Sequence, residues 1–167
     1  IYEKRAKDLK SGDRLIKFNL PIVEGNEALD FAYTNGFYSG DGCFFKGKQM
    51  NYLYHEKQKL LEKLEDVKRV YVDVNQNRTV VTHNGNLKDK YFVPTANFSV
   101  ESRLNWLAGL CDSDGTVARN GETESLQIGS VHLSFLQEIQ LMLQTLGVTS
   151  TINTGVEEGY REMPLND

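Results

Sequence analysis

An α+β fold built from two related halves is what the 167-residue sequence predicts. Helical periodicity and strand alternation recur in the same order, helix, hairpin, helix and hairpin-like segment, once in each half. The sharpest self-match sets Gly36-Phe-Tyr-Ser-Gly-Asp41-Gly42 against Gly109-Leu-Cys-Asp-Ser-Asp114-Gly115, at an offset of 73 residues. The composition, 40% hydrophobic and 25% charged, is that of a globular chain able to bury a core, which excludes disordered and fibrous classes.

Residues 1–25 read as short strands and turns: Lys10-Ser11-Gly12-Asp13 is a turn signal, followed by the apolar Leu15, Ile16 and Phe18. Asn26 can cap a helix with Glu27 in its first turn. Leu29, Ala32, Tyr33 and Gly36 then follow helical spacing up to a stop at Gly40-Asp41-Gly42. A hairpin is expected over 43–54 with its turn at Lys46-Gly47-Lys48, and an amphipathic helix over 55–66 with Leu60, Leu61 and Leu64. A second hairpin should span 67–83, turning near Asn75-Gln76-Asn77. Its first strand puts Val70, Val72 and Val74 on one face and Arg69, Tyr71 and Asp73 on the other. After Pro94, Ser99 can cap a helix running to about Ser113 with a stripe of Leu104, Leu107, Ala108 and Cys111. A hairpin around Thr116–Val117 and Leu126–Ile128, a helix over 132–146 closed by Gly147, and a strand over 148–156 complete the reading.

If the first copy covers 28–100, the offset places the end of the second near residue 173. The second repeat is therefore expected to be C-terminally truncated, and the chain, which starts with Ile1, to be a piece of something longer. No stretch approaches the ~20 apolar residues of a membrane helix, and the polar start IYEKRAKDLK has no secretory core. Cys43 and Cys111 form no CxxC pair, which argues against a disulfide framework or zinc site and suits a reducing, intracellular setting. The net charge of −4 argues against bulk attraction to nucleic acid. It is unevenly spread: residues 31–100 carry +3 and residues 101–167 carry −7. A surface for a polyanion must lie in the middle of the chain.

Glycine inside a helix costs ~1 kcal/mol relative to alanine. Gly36 and Gly109 therefore suggest two helices in close approach, and such a pair would bring Asp41 and Asp114 out together at one end. An Asp-Gly at one helix end is ordinarily a turn, but two at matched repeat positions suggest more. Carboxylates held close make a site for divalent cations, and two such ions can activate water and stabilise the leaving oxygen in phosphodiester cleavage. A calcium loop of EF-hand type does not fit, because aligning Asp112, Asp114 and Gly115 to it puts Leu110 and Gly121 at ligand positions.

Leu107-Ala-Gly-Leu-Cys-Asp-Ser-Asp114-Gly115 resembles the motif for which the LAGLIDADG homing endonucleases are named, with Cys111 and Ser113 as departures. Thr34-Asn-Gly-Phe-Tyr-Ser-Gly-Asp41-Gly42 is similar to the more divergent first copy of two-motif members. Lys90-Tyr-Phe-Val-Pro94 resembles the Lys–Pro block of intein-borne members, with Lys88 as the other candidate lysine. Ala6-Lys-Asp-Leu-Lys-Ser-Gly-Asp13 resembles the stretch that closes the N-terminal half of an intein's splicing domain. The resemblance implies two pseudo-symmetric αββαββα repeats, residues 26–98 and 99–167, that form a saddle on double-stranded DNA, with residues 1–25 a splicing-domain tail or linker.

It further implies that Asp41 and Asp114 hold Mg²⁺, with Mn²⁺ a possible substitute, against two scissile phosphates, and that Lys90 orients or acidifies the water network. The chain would act as a monomer, with DNA, the rest of the intein and its host protein as partners and no membrane. Expected DNA contacts are Lys46, Lys48, Gln49, Asn51, Arg69, Tyr71 and Arg78, since Arg and Gln read base edges while Lys mostly positions on phosphate. Self-splicing is not expected of the chain as it stands. It begins with Ile1 and ends Pro164-Leu-Asn-Asp167, and His55, His83 and His132 are preceded three positions back by Tyr52, Val80 and Gly129 rather than Thr. His83 and His132 therefore read as structural or solvated. The competing function is a maturase-like or degenerate domain that grips nucleic acid without cutting it.

Overall fold

A computed structural model describes residues 4–14 and 20–154. The early apolar run Leu15, Ile16 and Phe18, and the last two residues of the expected 148–156 strand, lie outside the described residues. The architecture is α+β, with antiparallel sheets around a central helix pair.

The first helix, α1 (Ala32–Asp41), takes Phe31 as its N-cap rather than Asn26. The backbone ahead of it is already bonded elsewhere. The Glu27 N–H donates to the Asn97 carbonyl (3.0 Å), and the Glu27 carbonyl accepts from Ser99 N–H (2.8 Å). The Leu29 N–H donates to Ser102 Oγ at 3.0 Å. These bonds fasten the approach to α1 onto the start of α2 (Val100–Asp114). Gly25 permits the approach, because a Cβ there would meet the Asn97 carbonyl oxygen at 2.2 Å. As expected, Ser99 caps α2, its Oγ accepting from Ser102 N–H at 3.1 Å.

Strands β1 (Gly42–Phe45), β2 (Lys48–Tyr54), β3 (Val67–Asp73) and β4 (Arg78–His83) form one antiparallel sheet in the order β1-β2-β4-β3. Lys46 (φ 49°) and Gly47 (φ 74°) make the left-handed two-residue turn that matches strand twist. The segment between β2 and β3 is a 3₁₀ helix, His55–Lys63, not the α-helix that its leucines suggest. Three residues per turn align Lys57, Leu60 and Lys63. That row faces the α1–α2 seam: Lys57 reaches Asp41, Lys63 reaches Asp112, and Leu60 packs on the core. The segment packs mainly on β2 and β4, and only Val67 at the start of the edge strand β3 joins its core cluster. Val70, Val72 and Val74 consequently remain exposed, and β3 is bulged between Val67 and Arg69.

The helix pair separates two cores. Phe37, Leu53, Leu64 and Val81 pack on the first sheet. Trp106, Leu110, Phe135, Ile139 and Met142 pack beneath α3 (Leu133–Thr145) on the other side. The buried face of α2 is Ser102, Arg103, Trp106, Gly109, Leu110 and Ser113. The stripe expected from sequence is displaced, with Leu104 and Ala108 exposed. Close packing at Gly109 sets this face, which Ser102, Trp106 and Ser113 share with it at seven, three and four positions' distance. Arg103 is fully buried with no carboxylate partner among the described residues. Its guanidinium donates to the Val23 carbonyl and to Thr145 Oγ1 (2.8 Å), joining the approach to α1, α2 and the end of α3.

Strands β5 (Gly115–Asn120) and β6 (Thr123–Ile128) form a two-stranded sheet. The end of α3 is a Schellman motif, with Val148 N–H on the Leu143 carbonyl (2.9 Å) and Gly147 N–H on that of Gln144 (3.2 Å). Residues 148–154 form no strand. They run beside α3, where Gln140 Nε2 donates to the Ser150 carbonyl at 3.0 Å.

Candidate active site

The site is built on reciprocal contacts between α1 and α2. A Cβ on Gly36 would lie 1.8 Å from the Trp106 carbonyl oxygen, and a Cβ on Gly109 would lie 2.0 Å from that of Tyr33. Both glycines, and both carbonyls, are 73 residues apart, so the two helices meet through equivalent positions. Each glycine faces the opposing main chain rather than the other glycine. One turn further on, Gly40 packs against Ser113, also at offset 73, where a Cβ would meet Ser113 Oγ at 2.1 Å and Asp114 Cγ at 3.0 Å.

This approach delivers Asp41 and Asp114 side by side at the C-terminal ends of their helices. Partial burial and the neighbouring Asp41 carboxylate push the Asp114 carboxyl above the usual carboxylate range, against the pull of Lys57 and Lys90. Lys57 Nζ donates to Asp41 Oδ2 (2.5 Å) and to the Ser113 carbonyl (2.6 Å). Lys90 Nζ donates to the carbonyls of Gly40 (3.0 Å) and Gly42 (2.5 Å), which flank Asp41. Of the two lysines left open by the sequence, Lys90 stands beside the carboxylate pair, close enough for its charge to act on Asp114 while its ammonium bonds to the two carbonyls. The Lys88 ammonium instead lies 5.8 Å from the centre of the Phe92 ring. Asp112 is engaged apart from the pair by Tyr33 Oη (2.7 Å) and Lys63 (3.1 Å), which hold its carboxyl below its usual range. A cavity of about 330 Å³ opens beside Asp114, lined by Ser39, Lys90, Tyr91 and the loop Ile128–Val131.

Among the described residues, no group of three or more His, Cys, Asp and Glu side chains could hold a metal. The available donors are two carboxylates, all oxygen. That set fits Mg²⁺, which keeps several waters and completes its shell with one or two carboxylates and substrate phosphates. It offers none of the nitrogen or sulfur ligands of a structural zinc site.

The first sheet turns one face to the helices and leaves the other open. Lys48, Tyr52 and Tyr54 of β2, Arg78 of β4, and Arg69 and Tyr71 of β3 share the open face, and Lys46 stands in the adjoining turn. The Arg78 guanidinium stacks 4.3 Å from the Tyr52 ring centre, donates to Tyr54 Oη (2.9 Å) and pairs with Asp73 (3.2 Å). Gln49 and Asn51 are corrections to the expected contact set, since both are buried on the opposite face. Gln49 Nε2 donates to the Leu87 carbonyl (2.9 Å) and Asn51 Oδ1 pairs with His83 Nε2 (2.8 Å). His83 is thus structural, with burial pushing its pKa down, and His132 packs at a tilt against Tyr91 with ring centres 4.5 Å apart. Sequence reasoning missed Lys57, whose segment reads as an amphipathic helix with its lysines on the polar side, and the two tyrosines that hold Arg78.

Residues 101–166 match the model of the LAGLIDADG-like domain. Residues 101–166 are therefore similar to a LAGLIDADG-like domain, a class whose members bind DNA, are typically nucleases and generally use divalent metals. It is 42% identical over 162 residues to a ribonucleoside-diphosphate reductase large subunit of Invertebrate iridescent virus 6, covering 95% of this chain and 17% of that protein. It is 24% identical over 202 residues to the ribonucleoside-diphosphate reductase NrdEB subunit alpha of Bacillus subtilis and to that of Bacillus phage SPbeta, covering 98% of this chain and 19% of each relative. The chain thus spans less than a fifth of the length of these relatives. No solved structure matches it significantly.

Proposed function

We propose that the chain is the homing endonuclease domain of an intein lodged in a ribonucleoside-diphosphate reductase, and that it hydrolyses phosphodiesters of both DNA strands at the intein's insertion site. The observation that carries this reading is the meeting of Asp41 and Asp114 at the ends of a glycine-packed helix pair. The host assignment rests on nearly the whole chain aligning with a small fraction of each reductase. In this reading residues 1–25 are the tail of the splicing domain, and residues 26–98 and 99–167 are the two repeats.

Asp41 and Asp114 would hold Mg²⁺, which when bound supplies activation of water and stabilisation of the leaving oxygen. Lys90, fixed on the two carbonyls that flank Asp41, orients that carboxylate and offsets the negative end of α1. Arg78, already held by Tyr52, Tyr54 and Asp73, loses little side-chain freedom on meeting DNA. Lys46, Lys48, Arg69 and Tyr71 extend the contact across the open face.

The test is cleavage of duplex DNA spanning the uninterrupted reductase gene. Both strands are cut in Mg²⁺, and Asp114→Asn binds the DNA without cutting it. A wild-type protein that bound this duplex at full affinity and never nicked it in Mg²⁺ or Mn²⁺ would leave the non-cutting binder as the function. One feature favours that second reading: Arg119, the only basic residue of β5 and β6, is paired with Glu124 at 2.7 Å.

A further inference from the structure

We propose that Lys57 is a resident counter-ion of the Asp41–Asp114 pair, closing the site while no divalent cation is bound and leaving it when one binds. The inference rests on the reading of that pair as a metal site.

Gly40 and Ser113 are equivalent by the 73-residue offset, and each carbonyl accepts from a lysine, Gly40 from Lys90 and Ser113 from Lys57. Two ammonium groups therefore stand on matching points of the two helix ends. They come from unrelated parts of the chain, the 3₁₀ segment and the connection between β4 and α2. Their second contacts differ. Lys90 bonds to another carbonyl and leaves the carboxylates open. Lys57 bonds to Asp41 Oδ2 itself at 2.5 Å, on a lone pair that a cation would take.

A magnesium ion needs its ligand oxygens at about 2.0–2.1 Å in near-octahedral array. An ammonium on the same oxygen, also bridging to α2, stands where the ion and its waters must go. Release is feasible because the Lys57 side chain is 35% exposed and its four-carbon stem is flexible. The backbone need not follow, since Leu60 and Lys63 hold the same segment against the core and Asp112.

The experiment compares Lys57→Met and Lys57→Arg with wild type in the full chain. Ca²⁺ and Mn²⁺ binding is read by calorimetry, and melting is read in EDTA and in saturating Ca²⁺. The methionine variant, with no ammonium to displace, should bind Ca²⁺ roughly tenfold more tightly. It should also melt several degrees lower in EDTA, with the gap closing in Ca²⁺. The arginine variant, whose planar fork grips a carboxylate more firmly, should bind Ca²⁺ more weakly than wild type and melt normally in EDTA. A methionine variant that folds and binds Ca²⁺ no more tightly than wild type overturns the proposal. If that variant does not fold, arginine-variant affinity equal to or above wild type overturns it. A wild-type protein that takes up neither ion overturns instead the metal-site reading beneath it.

Discussion

Gly109→Ala isolates the close approach of α1 and α2. The added methyl would lie 2.0 Å from the Tyr33 carbonyl oxygen and 2.8 Å from Phe37 N, so α1 must retreat by roughly 1.4 Å to restore an ordinary 3.4 Å contact. The obstructing atoms are main chain and cannot rotate aside, which places the cost near the upper end of overpacking, about 3 kcal/mol. Alanine returns ~1 kcal/mol of helix propensity, leaving a net loss of about 2 kcal/mol. For a chain of this size that lowers Tm by roughly 4–8 °C. Thermal melting followed by far-UV circular dichroism measures it. Gly36→Ala should behave alike, and the double variant should lose less than the sum, because helices already parted by one methyl have room for the second. An unchanged or raised Tm for Gly109→Ala, the response of an exposed helical glycine, would refute the packing argument.

Arg78→Ala should weaken DNA binding and reduce the dependence of affinity on salt by about one phosphate contact. Asn51→Ala, facing the other way, should leave that salt dependence unchanged while costing about 1–3 kcal/mol through the unpaired His83 in a denaturant titration. Ser99→Ala removes the α2 cap and should cost about 1 kcal/mol in the same titration. The raised pKa of Asp114 sets the sign of a pH effect. A carboxyl that binds its proton more tightly when folded opposes stability above its folded pKa and ceases to do so once protonated. In EDTA, Asp114→Asn should therefore melt higher than wild type at pH 7, and the difference should shrink as pH falls through that raised pKa. A gap at pH 7 equal to the gap below that raised pKa would refute the sign.

Where local rules sufficed, the structure was legible in the sequence. Lys46-Gly47 dictates its own turn, Gly147 its own helix end, and Ser99 its own cap. The paired Asp-Gly ends were legible because repetition turned two weak signals into one. Asn26 misled because N-cap preference is local, while the N–H groups after it are taken by Asn97 and Ser102, some 70 residues away. Gln49 and Asn51 misled because a polar strand residue ordinarily faces water. The parity of Leu53, buried two residues beyond Asn51, was the available signal that this face turns inward. Lys57 was hidden because its reach depends on a period of three, whereas the leucines around it suggest 3.6.

The reciprocity of the Gly36–Trp106 and Gly109–Tyr33 contacts is a statement about symmetry. A surface that meets its own equivalent about a twofold axis is isologous, the arrangement ordinarily found between two identical subunits. Here it is contained in one polypeptide, whose halves are free to diverge wherever they do not touch the axis. Among the described residues the surroundings of the axis differ, with a four-stranded sheet and a 3₁₀ segment on one side and a two-stranded sheet and an α-helix on the other. On the axis the tolerance is smaller, because a side chain gained by either glycine obstructs the opposite half. An isologous contact held within one chain thus confines the tightest packing constraint to a few small residues and leaves each flank free of it.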